Sequence, residues 1–142
     1  MSQTYRDIIE IARCGAQYRA DQLAPMGLKS CHASFLLEIC ANPGISQDGL
    51  AHRIYINKSN VARQAAVLEE EGFIIRTLSP VDKRVMELYP TEKAKQLLPQ
   101  IQAILNRWEA AITNGMTEEE LDVLSHVLAR MKERSAIYME DR

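Results

Sequence analysis

Aromatic residues, paired cysteines and long apolar runs are all scarce in this sequence. Aromatic residues make up 6% of its 142 positions, and no CxxC motif contains any of its three cysteines, Cys14, Cys31 and Cys40. This odd number of cysteines argues against a disulfide scaffold and against a structural zinc site. The longest apolar runs fall far short of the roughly 20 residues that a membrane-spanning helix requires. We therefore expect a protein without a metal, without another cofactor and without a membrane partner.

The motifs of the common enzyme classes are also missing. The sequence contains no GxGxxG, no P-loop, no nucleophile elbow and no HExxH. Cys31 and His32 are adjacent, and adjacent residues on a helix point about 100° apart, which is a poor arrangement for a nucleophile and its base. The N-terminal stretch MSQTYRDIIEIARCG contains acids and lacks an apolar signal core. These absences predict a cytoplasmic protein that is not an enzyme.

Charge is unevenly distributed along a chain whose formal net charge is only −2. Residues 53–84 sum to +2, whereas the segments before and after them sum to −1 and −3. Within residues 53–66 the sequence places Arg53, Lys58 and Arg63 and no acid. A locally basic segment in an acidic chain is compatible with docking of one face onto phosphate groups.

Apolar periodicity and capping residues predict two helices followed by a helix-turn-helix. The first helix covers about residues 4–23, and the second starts after Ser30 and ends at the NPG turn. The segment SQDGLAHRI predicts a short helix capped by Ser46. After the break YIN, residues 57–72 predict a longer helix between a capping asparagine and a terminal glycine. A tight turn between two such helices is the pattern of a helix-turn-helix DNA reader.

The longer of these two helices has an apolar face and a separate polar face. Val61, Ala65 and Leu68 cluster on one side, and the residues expected on the opposite, outward side are Ser59, Asn60, Arg63 and Gln64. Short hydroxyl and amide side chains near a helix N-terminus can bind phosphates or base edges. Arginine and glutamine one turn later are long enough to reach guanine or adenine edges. The alternative is a solvated amphipathic face without a partner.

A β-hairpin is predicted immediately after this helix. FIIRTLS (73–79) and RVMELYP (84–90) have the composition of two strands, and PVDK forms the loop between them. A helix-turn-helix followed by such a hairpin is the winged-helix arrangement. Lys83 at the tip of the hairpin is then expected to contact phosphate, and this following wing favours the DNA-reading interpretation of the preceding helix.

The rest of the chain is predicted to be helical. Residues 91–114 contain a strong apolar stripe, and TEEEL at 117–121 is a capping box that starts a further amphipathic helix. Together with the first helix, these segments contain more apolar surface than one winged-helix core needs, and a dimer interface would bury the excess. We expect one mainly α (α+β) domain over residues 1–142, with a winged-helix DNA-binding lobe at 30–90 and helical dimerisation regions at 1–25 and 91–142.

The stretch from residue 57 to residue 98 resembles the MarR family of bacterial transcriptional regulators. The matching features are LEEEGFI at the end of the recognition helix, SPVDKR in the wing, and LYPTEKA leading into a long helix. The helix order matches end to end. The resemblance implies a homodimeric winged helix-turn-helix repressor that binds a pseudo-palindromic operator in double-stranded DNA.

The resemblance also implies roles for individual residues. Arg84 matches the wing arginine that enters the minor groove, and Asp82 matches the signature aspartate, for which a structural role in holding that arginine is expected. Arg53 and Lys58 are expected to contact the DNA backbone. An arginine binds most strongly in a narrow minor groove, where the negative electrostatic potential is concentrated. Because A·T-rich DNA has such a narrow groove, a preference for A·T-rich DNA is expected.

Two regulatory possibilities follow from the same resemblance. MarR-like proteins often bind small aromatic acids or other lipophilic anions between the dimer helices and the DNA-binding lobe, and the candidate lining residues are Tyr18, Phe35 and Trp108. Some relatives sense oxidants through a cysteine in the first helix, where this chain has Cys14. The alternatives to a ligand-responsive regulator are therefore a thiol-based redox sensor and a winged-helix module that binds an acidic protein.

Overall fold

Six α-helices and three short strands make up the fold of the described residues. The computed structural model describes residues 1–140, so the last two residues of the predicted dimerisation region lie outside it. The elements are α1 (Gln3–Leu23), α2 (His32–Ala41), β1 (Ile45–Ser46), α3 (Gln47–Ile54), α4 (Lys58–Glu70), β2 (Ile74–Leu78), β3 (Met86–Pro90), α5 (Glu92–Ile112) and α6 (Glu118–Ala136). Two single 3₁₀ turns, Ala24–Met26 and Ile137–Met139, follow α1 and α6.

Side-chain caps fix where several of the helices begin. The hydroxyl of Ser46 accepts the Gly49 N–H at the start of α3, and Asn57 accepts the Asn60 N–H at the start of α4. The predicted capping box of α6 is confirmed, because the side chain and backbone of Thr117 are both bonded reciprocally with Glu120. Each such cap stabilises a helix by about 1 kcal/mol, so the boundaries follow directly from the local sequence.

The sheet has one strand more than the predicted two-stranded hairpin. β3 lies in the middle and pairs antiparallel with β2 on one side and with β1 on the other. Thr77 of β2 faces Glu87, and Ile45 of β1 faces Leu88. The sequence does not predict β1, because its two residues are too few to show alternation of apolar and polar side chains.

Thr91 joins the recognition helix, the wing and the long helix α5. Its hydroxyl donates to the Gly72 carbonyl at 2.7 Å, just beyond the end of α4, and also accepts the Ala94 N–H as the N-cap of α5. The backbone N–H of Thr91 donates to the Phe73 carbonyl at 3.1 Å, next to the start of β2. The base of the wing is therefore tied to the end of α4 and to the start of α5.

The apolar core lies mainly between α2, α3, α4, the sheet and the inner face of α5. Its fully buried side chains include Phe35, Leu36, Ile39, Leu50, Val61, Leu68, Leu88 and Ile101. The α1 helix contributes only Leu23 and Gly15 to the buried residues. The winged-helix lobe therefore supplies most of its own hydrophobic core.

Helix α6 buries none of its side chains within the described chain. Its exposed apolar residues are Val123, Leu124, Val127, Leu128 and Met131, and Tyr5 and Ile11 of α1 are exposed as well. Apolar surface of this extent on two helices is unusual for a monomer. In the part of the chain that the structure describes, no helix has both the length and the apolarity needed to cross a bilayer.

Candidate nucleic-acid interface

The turn between α3 and α4 sets the angle at which α4 leaves the lobe. Tyr55 adopts the left-handed conformation with φ 57° and ψ 44°, a rare backbone state for a residue with a side chain. The Ile56 N–H donates to the Ala51 carbonyl and closes the end of α3. Leu50 of α3 and Val61 of α4 are both fully buried, so the pair of helices is fixed by shared packing as well as by the turn.

The outward side of α4 brings together short polar groups and one arginine. Ser59 and Arg63 are exposed, and Asn60 is half-buried beside them. The Ser59 hydroxyl donates to the Asn57 side chain at 2.9 Å, and the Arg63 guanidinium donates to the Asn60 side chain at 3.2 Å. These donors are held next to the helix N-terminus, where the backbone dipole favours negative charge. The arrangement is chemically suited to binding phosphates and base edges.

Gln64 does not lie on the outward side as predicted. It is half-buried, and its Oε1 atom lies 2.9 Å from Nε2 of His32. Gln64 follows buried Val61 by three residues, so the two side chains are only about 60° apart around the helix axis. That places Gln64 on the flank of α4 instead of opposite the core, and no local pattern in the sequence indicates the distant histidine that binds it.

His32 is an interior residue at the start of α2. Its side chain is 1% exposed, its ring packs edge-on against Phe35, and its Nδ1 atom accepts the Lys29 N–H at 3.0 Å. Burial of the ring lowers the pKa of His32 below its usual value of 6.5, although the hydrogen bond to Gln64 opposes this shift. The neutral ring is therefore the form that fits the folded protein.

We expect the protein to lose stability in mild acid through His32. A group with a lowered pKa in the folded state contributes its stability above the unfolded pKa, here 6.5, and loses it as the pH falls through the folded pKa. Urea denaturation at pH 7.5, 6.5 and 5.5 should show a smaller free energy of unfolding at the lowest pH. His32→Gln, which does not titrate, should show a shallower fall, and identical slopes for both proteins would contradict this assignment.

The two cations predicted to contact the DNA backbone form surface ion pairs. Arg53 Nε lies 2.8 Å from Glu38, and Lys58 Nζ lies 3.4 Å from Asp48. Exposed pairs of this kind contribute at most about 1 kcal/mol, because water screens them. Both cations can therefore exchange a carboxylate for a phosphate at little cost.

The wing presents one arginine that its neighbouring aspartate holds in place. Asp82 accepts the Arg84 backbone N–H at 3.0 Å, and its two carboxylate oxygens accept Nε and Nη2 of the same arginine at 3.1 Å. These bonds lower the pKa of Asp82. The Arg84 side chain is nevertheless 90% exposed, as is most of Val81 at the tip. Ser79 accepts the N–H groups of Val81 and Asp82 and stabilises the loop.

Replacing Asp82 by asparagine should impair the wing without unfolding the protein. The asparagine side chain is uncharged and has one acceptor oxygen where the carboxylate has two. It therefore cannot bind the guanidinium of Arg84 in a bidentate manner, and Arg84 is no longer held in one orientation. We expect operator affinity to fall by about tenfold, within the effect of one charge-assisted hydrogen bond. Fluorescence anisotropy measures the affinity. An unchanged affinity would show that Arg84 needs no orientation by Asp82.

The residues predicted to line an effector cavity do not form one site. The rings of Tyr18 and Trp108 stack at 5.2 Å, and the Tyr18 hydroxyl donates to the Ile104 carbonyl at 3.0 Å. Phe35 is instead completely buried in the core. The prediction that Phe35 lines a cavity is therefore wrong, because an aromatic residue at an inward position of α2 is consumed by packing.

Cys14 and Trp108 share a shallow groove between α1 and α5. The groove has a volume of about 420 Å³ and is also lined by Asp7, Glu10, Ile11 and Ile112. Among the described residues, its lining contains two acids and no basic side chain, which makes it a poor site for an anionic ligand. Cys14 is a free, exposed cysteine, and its role as a redox sensor stays a prediction. Among residues 1–140, no cluster of histidine, cysteine and acidic side chains is arranged to hold a metal ion.

A helix-turn-helix followed directly by a β-wing defines the winged helix-turn-helix class, and in this chain both elements have an exposed arginine. The MarR family profile matches residues 32–86 of the chain. The uncharacterized HTH-type transcriptional regulator YybA of Bacillus subtilis (strain 168) is 30% identical over 132 residues, which are 93% of this chain and 88% of that protein. The chain belongs to the MarR family, whose members are transcriptional regulators and not enzymes.

Solved structures agree with this assignment over nearly the whole chain. The transcriptional regulator SlyA has a TM-score of 0.93 at 29% identity and covers 98% of both chains. A putative MarR family regulator from Listeria monocytogenes, solved in complex with a 26mer DNA, has a TM-score of 0.91 at 31% identity and covers 98% of this chain and 93% of its own. The winged helix-turn-helix fold predicted from the sequence is confirmed.

Proposed function

We propose that this regulator is a cytoplasmic homodimer that represses transcription by binding a pseudo-palindromic operator, and that a small anionic ligand weakens this binding. The observation that carries the proposal is the pair of exposed arginines, Arg63 on α4 and Arg84 on the wing, on adjacent elements of one lobe. The similar Listeria protein in complex with DNA supports the same use of this fold.

In the proposed complex, each lobe binds one half-site. Helix α4 enters the major groove, where Arg63 reads a base edge and Ser59 and Asn60 bind phosphates or bases. The wing follows the backbone into the adjacent minor groove with Arg84, and Arg53, Lys58 and Lys83 neutralise phosphates. Two recognition helices must lie one turn of DNA apart, about 34–36 Å, which requires a dimer of fixed spacing.

The exposed apolar surface of α1 and α6 supports self-association. A symmetric dimer brings the same residues of both subunits together, so one self-complementary apolar face suffices. The net charge of residues 85–142 is negative, which keeps this end of the protein away from DNA. The dimer face and the DNA face thus lie on different parts of the chain.

A cavity between the helix-turn-helix and the end of α6 is the candidate ligand site. It has a volume of about 370 Å³, within the range of small-ligand sites, and its lining includes Ala51, His52, Tyr55, Lys58, Ala136 and Met139. Asp48 and Glu140 also line it, and Lys58, the first residue of α4, is the one lysine or arginine among the described residues of its lining and pairs with Asp48 at 3.4 Å. An anionic ligand that pairs with Lys58 would compete with phosphate for the same charge, so ligand and DNA would weaken each other.

Salt dependence of binding to a specific DNA fragment tests the central proposal. Arg53, Lys58 and Lys83 contribute about six phosphate contacts per dimer, so log K should fall against log salt with a slope of about −5. Genomic fragments incubated with the purified protein and separated by electrophoresis identify the fragment, and anisotropy at several salt concentrations gives the slope. Absence of any specific, salt-sensitive complex would refute the proposal.

Filling the cavity tests the ligand response separately. Ala136→Phe places an aromatic ring in the space between α6 and the helix-turn-helix, on an element that carries neither Arg63 nor Arg84. We expect it to bind the operator with near-normal affinity but to lose its response to small aromatic acids, such as substituted benzoates. A variant that keeps the full response would show that the ligand binds elsewhere.

A further inference from the structure

The hydrogen bonds of His32 determine where its ring proton lies. The Lys29 backbone N–H can only donate, so Nδ1 of His32, 3.0 Å away, accepts and carries no proton. In the neutral ring the proton is then on Nε2, which donates to Oε1 of Gln64 at 2.9 Å. A chain of two hydrogen bonds thus runs from the loop before α2, through a buried ring, to the recognition helix.

This chain also fixes the orientation of the Gln64 side chain. A carboxamide has an acceptor oxygen at one end and a donor NH₂ group at the other. Because the oxygen of Gln64 is turned towards buried His32, the NH₂ group is on the side of the carboxamide away from that ring. Gln64 is half-buried, Asn60 lies one turn earlier on the same flank of α4, and Arg63 is the preceding residue, so the exposed part of Gln64 borders the surface that carries the candidate DNA contacts.

The orientation decides which base a glutamine can recognise. A glutamine that recognises adenine uses both ends of its amide, since it accepts from N6 and donates to N7. Because the oxygen is turned into the protein interior by its bond to buried His32, the donor end is the end left for the major groove. The atoms that accept a hydrogen bond there are N7 and O6 of guanine and O4 of thymine, in addition to N7 of adenine.

We propose that His32 is a specificity-determining positioning residue, which turns Gln64 so that α4 offers a hydrogen-bond donor to an acceptor edge of guanine or thymine and not the paired contact that selects adenine. This inference rests on the proposed DNA-binding function. It assigns to an interior histidine, which touches no DNA itself, control over one base position in each half-site.

Two substitutions of His32 separate its two hydrogen bonds. His32→Asn places its amide oxygen where Nδ1 was and can accept the Lys29 N–H, but it is too short to reach Gln64. His32→Gln is longer and can donate to Gln64, but it loses the acceptor for Lys29. Both variants keep a polar, uncharged side chain, glutamine being close to histidine in volume and asparagine smaller, and thermal unfolding by circular dichroism verifies that they fold.

The experiment is a selection of binding sites from a random DNA library, with the full-length dimer at pH 7.5. Wild-type protein and His32→Gln should select the same guanine or thymine at one position of each half-site. His32→Asn should lose about tenfold of the discrimination at that position, with a shift towards adenine, and should keep the other positions. Gln64→Ala should remove the preference at that same position.

The possible failures can be told apart. If wild-type protein selects no site, the proposed function fails together with this inference. If wild-type protein selects a site but His32→Asn retains the complete base preference, only the inference fails. It also fails if the preference changes in His32→Gln and not in His32→Asn, because the bond to Lys29 would then be the one that matters. Should His32→Asn not fold, an unaltered base preference in Gln64→Ala overturns the proposal.

Discussion

Leu128→Glu is expected to convert the protein from a dimer into a monomer and to abolish operator binding. Leu128 is 46% exposed on α6, between Leu124 and Met131 on the same apolar side of the helix. In a symmetric dimer, two glutamates would enter the interface together. A buried, unpaired carboxylate costs several kcal/mol, so dimer affinity should fall by roughly a thousandfold or more.

Light scattering coupled to size-exclusion chromatography measures the change in mass, and anisotropy measures DNA binding by the same sample. His126→Glu is the matched control, because it places the same charge on the opposite, polar side of α6 and should remain dimeric. Circular dichroism should be near normal for both variants, since α6 buries no side chain within its own chain. A Leu128→Glu protein that remains a dimer would place the interface elsewhere.

Arg84→Ala is expected to have the second-largest effect. The substitution removes the exposed wing arginine from both subunits and leaves the Asp82 carboxylate without its partner. Each lost groove contact is worth about 1–3 kcal/mol, so two of them should weaken operator binding by about 30-fold to 20,000-fold. The dimer should be unaffected, because the wing lies apart from α6 in the chain and from its exposed apolar side.

Lys83→Ala and Arg84→Lys serve as controls for this prediction. Lys83 is expected to contact phosphate only, so its loss should weaken all DNA sequences about equally and reduce the salt slope slightly. Arg84→Lys keeps the charge but not the planar guanidinium, and it should recover only part of the affinity. Equal affinity of Arg84→Ala and wild-type protein for an operator with A·T-rich flanks would refute the role of the wing.

Local signals in the sequence explain why the helix-turn-helix and the wing are predictable. Ser46 and Asn57 are strong N-caps, and Gly72 at φ 82° ends the recognition helix, so each boundary is encoded within a few residues. The same holds for the wing, where Asp82 and Arg84 interact only two positions apart. Interactions between residues this close in the sequence produce local patterns that can be recognised in one sequence alone.

The errors concern interactions between residues distant in sequence. Periodicity is ambiguous for a residue on the flank of a helix, which is why it places Gln64 opposite the core, and its partner His32 is 32 positions away. The assignment of Phe35 to a cavity fails because the sequence does not reveal whether an aromatic side chain packs in the core or contacts a ligand. The pairing of β1 with β3 spans more than forty positions, and two residues provide no strand signal.

The hydrogen bonds made by Thr91 have a mechanical consequence. The end of α4, the first strand of the wing and the long helix α5 are joined through one residue, so a rotation of α5 carries α4 and the wing with it. In the proposed dimer, a tilt of α5 at the subunit interface would therefore change the spacing of the two α4 helices, which must be about 34–36 Å to match one turn of DNA.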